Sequence, residues 1–144
     1  MTSAAPAVDP DEFAAWLRLL QTPGVGRDGA RRLLAAFGSP MAVFDAPPAA
    51  LKTVVDAACT RALGEWPPEF RQRLAAARAW LAGGPARHVL TLGDAAYPPR
   101  LLQTADPPLM LYVEGDVALL SAPSVGVVGS RAPTPQGLAN ARQQ

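Results

Sequence analysis

The stretch Ser124-Val125-Gly126-Val127-Val128-Gly129-Ser130-Arg131-Ala132-Pro133-Thr134-Pro135-Gln136-Gly137 carries the residue types best suited to anion recognition in this chain. Gly129 lets a backbone come close to a phosphate, Ser130 offers a hydroxyl, and N–H groups at a helix start favour negative charge. Arg131 supplies a planar, permanently charged fork that matches phosphate oxygens better than an ammonium does. Thr134 and Gly137 continue the pattern into a helix expected after Pro135. A second glycine turn, Gly24-Val25-Gly26, is followed by Arg27 and Arg31, spaced to lie on one side of a helix. Backbone N–H groups at that helix start also suit a phosphate, and they would touch it without reading base sequence.

Other chemistries lack material. Cys59 and His88 are the only residues of their kinds, so no internal disulfide, cysteine metal site, zinc cluster or Ser-His-Asp triad can be assembled. Glu114 and Asp116 flank Gly115, too few carboxylates for a metal loop. The glycine-rich turn has neither the Gly-x-Gly-x-x-Gly nor the Gly-Lys-Ser/Thr order of nucleotide sites, and no catalytic carboxylate or histidine accompanies it. No cofactor and no metal are expected. The chain has 144 residues, 49% of them hydrophobic, and a net charge of +1. It can therefore bury a core, but its overall balance makes no broad electrostatic case for nucleic acid. The basic charge is local: between Phe13 and Ser39, Arg18, Arg27, Arg31 and Arg32 face Asp28 alone. No apolar run approaches the roughly 18 residues of a membrane span, and Met1 to Pro10 lacks the order of a signal peptide. A cytoplasmic protein is expected.

Helices must position the first glycine turn. Asp11 is placed as the cap of a helix through Leu20, with Phe13, Trp16, Leu17 and Leu20 on one face. From Arg27 to Phe37 the period continues through Ala30, Leu33, Leu34 and Phe37, and Gly38 ends it. A third helix is expected from Pro48 to Leu63 with Leu51, Val54, Val55 and Ala58 inward. After a break at Gly64-Glu65-Trp66-Pro67-Pro68, a fourth covers Glu69 to Leu81 with Phe70, Leu74, Ala77 and Leu81 inward. Gly83-Gly84-Pro85 ends it. Strands are expected at His88 to Leu92, Leu109 to Val113 and Val125 to Val128, with a helical turn at Arg100 to Leu102. Pro107 and Pro108 set the entry to the second strand. Trp16, Trp66 and Trp80 are expected in cores or domain contacts, Tyr97 and Tyr112 as packing residues with wetted hydroxyls. Cys59 is expected to be a small buried hydrophobe, and Arg71, Arg73 and Arg78 a solvated face. The fold class is α+β overall: an all-α helical bundle over residues 11–83, then an incomplete α/β region over residues 88–144. Only Leu138 to Gln144 follow the stretch that ends at Gly137, too few to finish a parallel sheet, so the front part of a longer protein is expected.

The helix, Gly24-Val25-Gly26 turn and helix together resemble the helix-hairpin-helix motif. An ordinary helical corner that needs glycine to turn fits the same residues, and both readings stand. Three further pieces follow in order: Asp94-x-x-Tyr97-Pro98-x-x-Leu101, Asp106-Pro107-Pro108-x-x-x-Leu111-Tyr112-x-x-Gly115, and Val125-x-Val127-Val128-Gly129-Ser130-Arg131-x-x-Thr134. With the helical module before them they resemble the DprA/Smf family of DNA-processing proteins, over about Asp11 to Gln144. The resemblance implies an N-terminal SAM-like domain followed by the start of a Rossmann-like domain. It implies a non-catalytic protein that binds single-stranded DNA taken up in natural transformation, protects it and helps load the RecA recombinase. Gly129, Ser130 and Arg131 carry over as DNA-contacting positions, and Thr134 and Gly137 match the motif's continuation. Where many members have an aromatic residue before that glycine, this chain has Gln136. The family's dimerisation and RecA surfaces lie in parts beyond Gln144, where a winged-helix domain often follows; the full-length parent is expected to be a homodimer, and this portion to bind single strands weakly or not at all. Two other readings are an enzyme that uses the turn for a nucleotide, and a helical protein-interaction module without DNA contact.

Overall fold

The chain was analysed as a computed structural model that describes residues 9–143. The first helix, α1 (Pro10–Gln21), begins earlier than expected because Asp9, not Asp11, is its cap. The Asp9 carboxylate accepts from the N–H of Asp11 at 3.0 Å, and Pro10 takes the first helical position, where its missing N–H is harmless. A turn leads to α2 (Gly26–Phe37), which Gly38 ends at φ 92°. A short helix that hydrophobic spacing did not signal follows, α3 (Pro40–Asp45), with the Ser39 hydroxyl accepting from the N–H of Ala42.

The single helix expected over residues 48–63 is broken in two, α4 (Pro48–Leu51) and α5 (Ala57–Leu63). Two competing local bonds explain the break. The Thr53 hydroxyl donates to the Ala50 carbonyl at 2.6 Å, and the Asp56 carboxylate accepts from the N–H of Cys59 at 2.8 Å, starting a new helix. The hydrogen bond from the Cys59 N–H is the main cause that holds the Asp56 carboxyl below the usual carboxylate range. The restart rotates the face, so Leu51 and Val55 are buried as expected whereas Ala58 is exposed and Thr60 goes inward. The next helix, α6 (Phe70–Ala82), buries Phe70 and half-buries Leu74, Ala77 and Leu81.

These helices close over one core. Leu19, Leu33 and Val43 are sealed from solvent among Trp16, Val25, Ala30, Leu51, Val55 and Leu63. α1 lies against α2, α3 and α6. The same core takes in Leu109 and is flanked by Leu92 and Met110, so the strand region is packed on the helical bundle.

That region consists of β1 (Arg87–Thr91), the turn α7 (Pro99–Leu102), β2 (Met110–Glu114), a 3₁₀ turn at Val117–Ser121 and α8 (Pro135–Arg142). β1 and β2 pair antiparallel, with Arg87 opposite Glu114 and Thr91 opposite Met110. Val89, Leu90 and Thr91 are all buried; because successive residues point to opposite faces, both faces of β1 are covered at that end. The fold is thus α+β, with its helical bundle first. The strand expected at Val125 to Val128 does not form. Those residues make no ladder with either strand, and Val128 is 96% exposed.

Tyr97 also departs from expectation. It is a packing residue, 2% exposed, but its hydroxyl is dry and donates to the Pro108 carbonyl at 2.6 Å; burial pushes its pKa up. Tyr112 is about half exposed and meets Trp80 edge-on at 5.4 Å. Replacing Tyr97 by Phe should cost about 1–3 kcal/mol, because it leaves the Pro108 carbonyl without its donor. Urea denaturation measures this, and an unchanged midpoint would show the bond to be idle.

Candidate nucleic-acid interface

The hairpin between α1 and α2 is built on two glycines in the left-handed region, Gly24 at φ 82° and Gly26 at φ 67°. L-residues rarely adopt such a backbone, so these positions need glycine for conformation; the space beside both is open. Val25 between them is buried in the core and pins the turn. Gly29, one turn into α2, lets Val25 approach: a Cβ there would lie 3.3 Å from Val25 Cγ1. No side chain caps the start of α2. Behind the hairpin, the Cys59 thiol donates to the Gly24 carbonyl at 3.2 Å. Burial first, then the Asp56 carboxylate, raises the pKa of this thiol, so it holds the turn as a neutral group.

The charges around this hairpin are already matched inside the molecule. The Asp106 carboxylate takes Arg27 at 2.8 Å and Arg31 at 2.6 Å, one oxygen each. Arg31 also donates to the Pro107 carbonyl at 3.2 Å. Arg32 pairs with Asp28 at 3.1 Å and donates to the Val54 carbonyl. A phosphate arriving at Gly24, Val25 or Gly26 would meet Asp28 in the first turn and would compete with Asp106 for both arginines. Asp106 entered the sequence reading only as part of a motif. Its role shows once the chain folds, because Pro107 lies 76 residues from Arg31.

The second turn is arranged differently. Gly129, Ser130 and Arg131 are exposed, and nothing lies within 4 Å of where a Cβ on Gly129 would stand. Among the described residues their backbone N–H groups donate to no carbonyl, and Arg131 has no ion-pair partner. The Ser130 hydroxyl accepts from the N–H of Ala132 at 3.1 Å, which folds the loop back on itself. Thr134 caps α8 by accepting from the N–H of Gly137 at 3.0 Å. A Cβ on residue 137 would stand 3.1 Å from the Thr134 hydroxyl, so glycine keeps the cap uncrowded. Pro135 has no N–H and that of Gly137 is taken by the cap, so at the start of α8 the Gln136 N–H is left without a partner among the described residues.

Residues 10–62 match the family model of the DprA-like N-terminal HHH domain. Residues 88–144 match that of DNA recombination-mediator protein A. The chain belongs to the DprA/Smf family. The two matches flank α6, and each contains one of the two glycine turns. No curated protein matches the chain. Membership assigns the chain to DNA recombination mediators and makes DNA its partner. Among the described residues no helix is long and apolar enough to cross a membrane.

The DprA-like chain should therefore depend on Arg31 for stability more than on Arg27. Arg31 has a side chain only 24% exposed and two acceptors, whereas Arg27 is 55% exposed and has one. Arg31→Ala should cost about 1–3 kcal/mol and Arg27→Ala under about 1 kcal/mol in thermal or urea unfolding. Equal losses would mean that the Pro107 bond contributes nothing.

Proposed function

We propose that this DprA/Smf protein is a single-stranded DNA-binding recombination mediator that grips the phosphate backbone at Gly129, Ser130 and Arg131. The observation that carries this reading is the exposed turn itself. It combines a guanidinium that has no ion-pair partner among the described residues with backbone donors that no other described group uses. Glycine, serine and arginine there supply phosphate ligands but no side chain poised to move a proton near neutral pH. Binding without catalysis is the corresponding function. Thr134 contributes by fixing the exit from the turn, and the hairpin at Gly24, Val25 and Gly26 contributes mainly to the architecture.

Protection of incoming strands in natural transformation, loading of RecA, homodimerisation of the full-length protein and a cytoplasmic location complete the proposal. They rest on family membership. The matched turns of charge favour one further detail: Arg27 and Arg31 hold Asp106 first and DNA second.

Phosphate contacts release counterions, so affinity for an oligonucleotide should fall as salt rises, with little base preference. Arg131→Ala should weaken binding several-fold and flatten the slope of log K against log salt by roughly 0.7, the value for one phosphate on a single strand. Fluorescence anisotropy across a salt series measures both. An unchanged slope would remove Arg131 from the interface.

A further inference from the structure

Trp66 was expected in a core or a domain contact, yet it is 66% exposed. It is nonetheless held in place. The Arg18 guanidinium lies 3.9 Å from the centre of the Trp66 ring and 4.1 Å from that of Phe44, a three-layer stack. Arg18 is fixed in turn by a hydrogen bond to the Leu63 carbonyl at 3.2 Å. Phe70 flanks the indole, its ring centre 5.2 Å away and tilted by 39°. Glu69, between them in sequence, is the one described non-glycine residue in the left-handed region, at φ 59°. Strain of this kind, roughly 1–2 kcal/mol, persists only where the surroundings enforce it.

Beside the indole is an open depression of about 650 Å³, lined by Trp66, Pro67, Glu69, Phe70, Arg71, Gln72 and Leu74. That volume suits a small planar group. Its lining carries one arginine, Arg71, and one glutamate, Glu69, which pairs with Arg73 at 3.9 Å. Arg61 and Arg71 have no ion-pair partner among the described residues. A rigid aromatic surface, a neighbouring cation and an amide from Gln72 together match a nucleotide, with its flat base, anionic phosphate and polar edge.

We propose that Trp66 is a base-stacking shelf for single-stranded DNA, separate from the Gly129–Arg131 turn. It rests on the proposed DNA-binding function and adds to it a contact with bases. The stacked Arg18 holds the indole flat, and Arg71 meets the adjoining phosphate. Every base has a π-face, so the shelf accepts any sequence.

The test compares two probes on the whole chain: an oligothymidylate, and an abasic strand of the same length with the same phosphates. Trp66→Ala should weaken oligothymidylate binding roughly 5- to 150-fold, the range for one stacked base. Trp66→Phe should recover part of the loss. Neither variant should change affinity for the abasic strand, whereas Arg131→Ala should weaken both probes. Trp66→Leu covers Arg18 without a ring; if Trp66→Ala unfolds by circular dichroism, the leucine variant must show the same selective loss. Unchanged oligothymidylate affinity in a folded variant, the result also expected if the shelf serves a protein partner, overturns the proposal. Equal weakening of both probes overturns it too. If the unmodified chain binds neither probe, the proposed function fails as well; if it binds and only Arg131→Ala weakens it, the shelf alone fails.

Discussion

Four consecutive residues, Asp106 to Leu109, form the joint between the helical bundle and the strand pair: Asp106 and Pro107 bond the bundle, Leu109 packs into it, and Pro108 is anchored within the strand region. The Asp106 carboxylate receives Arg27 and Arg31 from α2. The Pro107 carbonyl accepts from Arg31, and the Pro108 carbonyl from the buried Tyr97 hydroxyl. Leu109 enters the helical core while its own carbonyl accepts from the N–H of Leu92. Two prolines suit such a joint. They bring no N–H groups, so only their carbonyls need partners when the segment is buried, and one arginine and one tyrosine supply them. The β1–β2 ladder then starts where the core ends, with Met110 opposite Thr91.

Positive charge is divided accordingly between building and binding. Arg18, Arg27, Arg31 and Arg32 looked like a basic patch because Asp28 was the only acid near them in sequence. In the fold each has an acceptor: the Leu63 carbonyl for Arg18, Asp106 for Arg27 and Arg31, Asp28 and the Val54 carbonyl for Arg32. A linear charge count cannot register a carboxylate that arrives from the far side of the chain. The exposed pairs add little to stability on their own, since solvent screens them. Arg31, half-buried and doubly bonded, fixes the geometry.

What was legible in the sequence follows from what is local. The faces of α1 and α2 could be read because Phe13, Trp16, Leu17, Ala30 and Leu33 repeat at the helical period and a single core decides their burial. β1 and β2 lay within a residue or so of their expected positions, since proline and glycine mark their ends. The Gly24-Val25-Gly26 turn was visible because few other residues tolerate the left-handed geometry of its two glycines. Elsewhere competition decided. Asp56 caps a new helix where apolar spacing favoured one continuous helix, and Asp9 outcompetes Asp11 by preceding a proline. Val125 to Val128 has the composition of a strand, but a strand exists only with a neighbour to share its ladder. Trp66 sits beside Pro67 and Pro68 in a break between helices; its residue type alone favoured burial, and only the stack on Arg18 accounts for its exposure.

The two exposed features differ in the physics by which they would hold a strand. At Gly129–Arg131 the exit of the loop is ordered by the Thr134 cap, which takes the N–H of Gly137. The turn itself offers its backbone N–H groups and one guanidinium. One guanidinium neutralises about one phosphate, and that contribution weakens as salt competes for the site. Stacking on Trp66 releases no counterion and persists when the electrostatic part is screened. A chain with a net charge of only +1 has no general field with which to hold DNA. For such a chain an aromatic contact is the physically reasonable complement to a single phosphate turn, and it makes affinity depend on unpaired bases. A duplex presents the same phosphates but keeps its bases stacked on one another, so the proposed shelf would confer a preference for single strands where the turn alone would not.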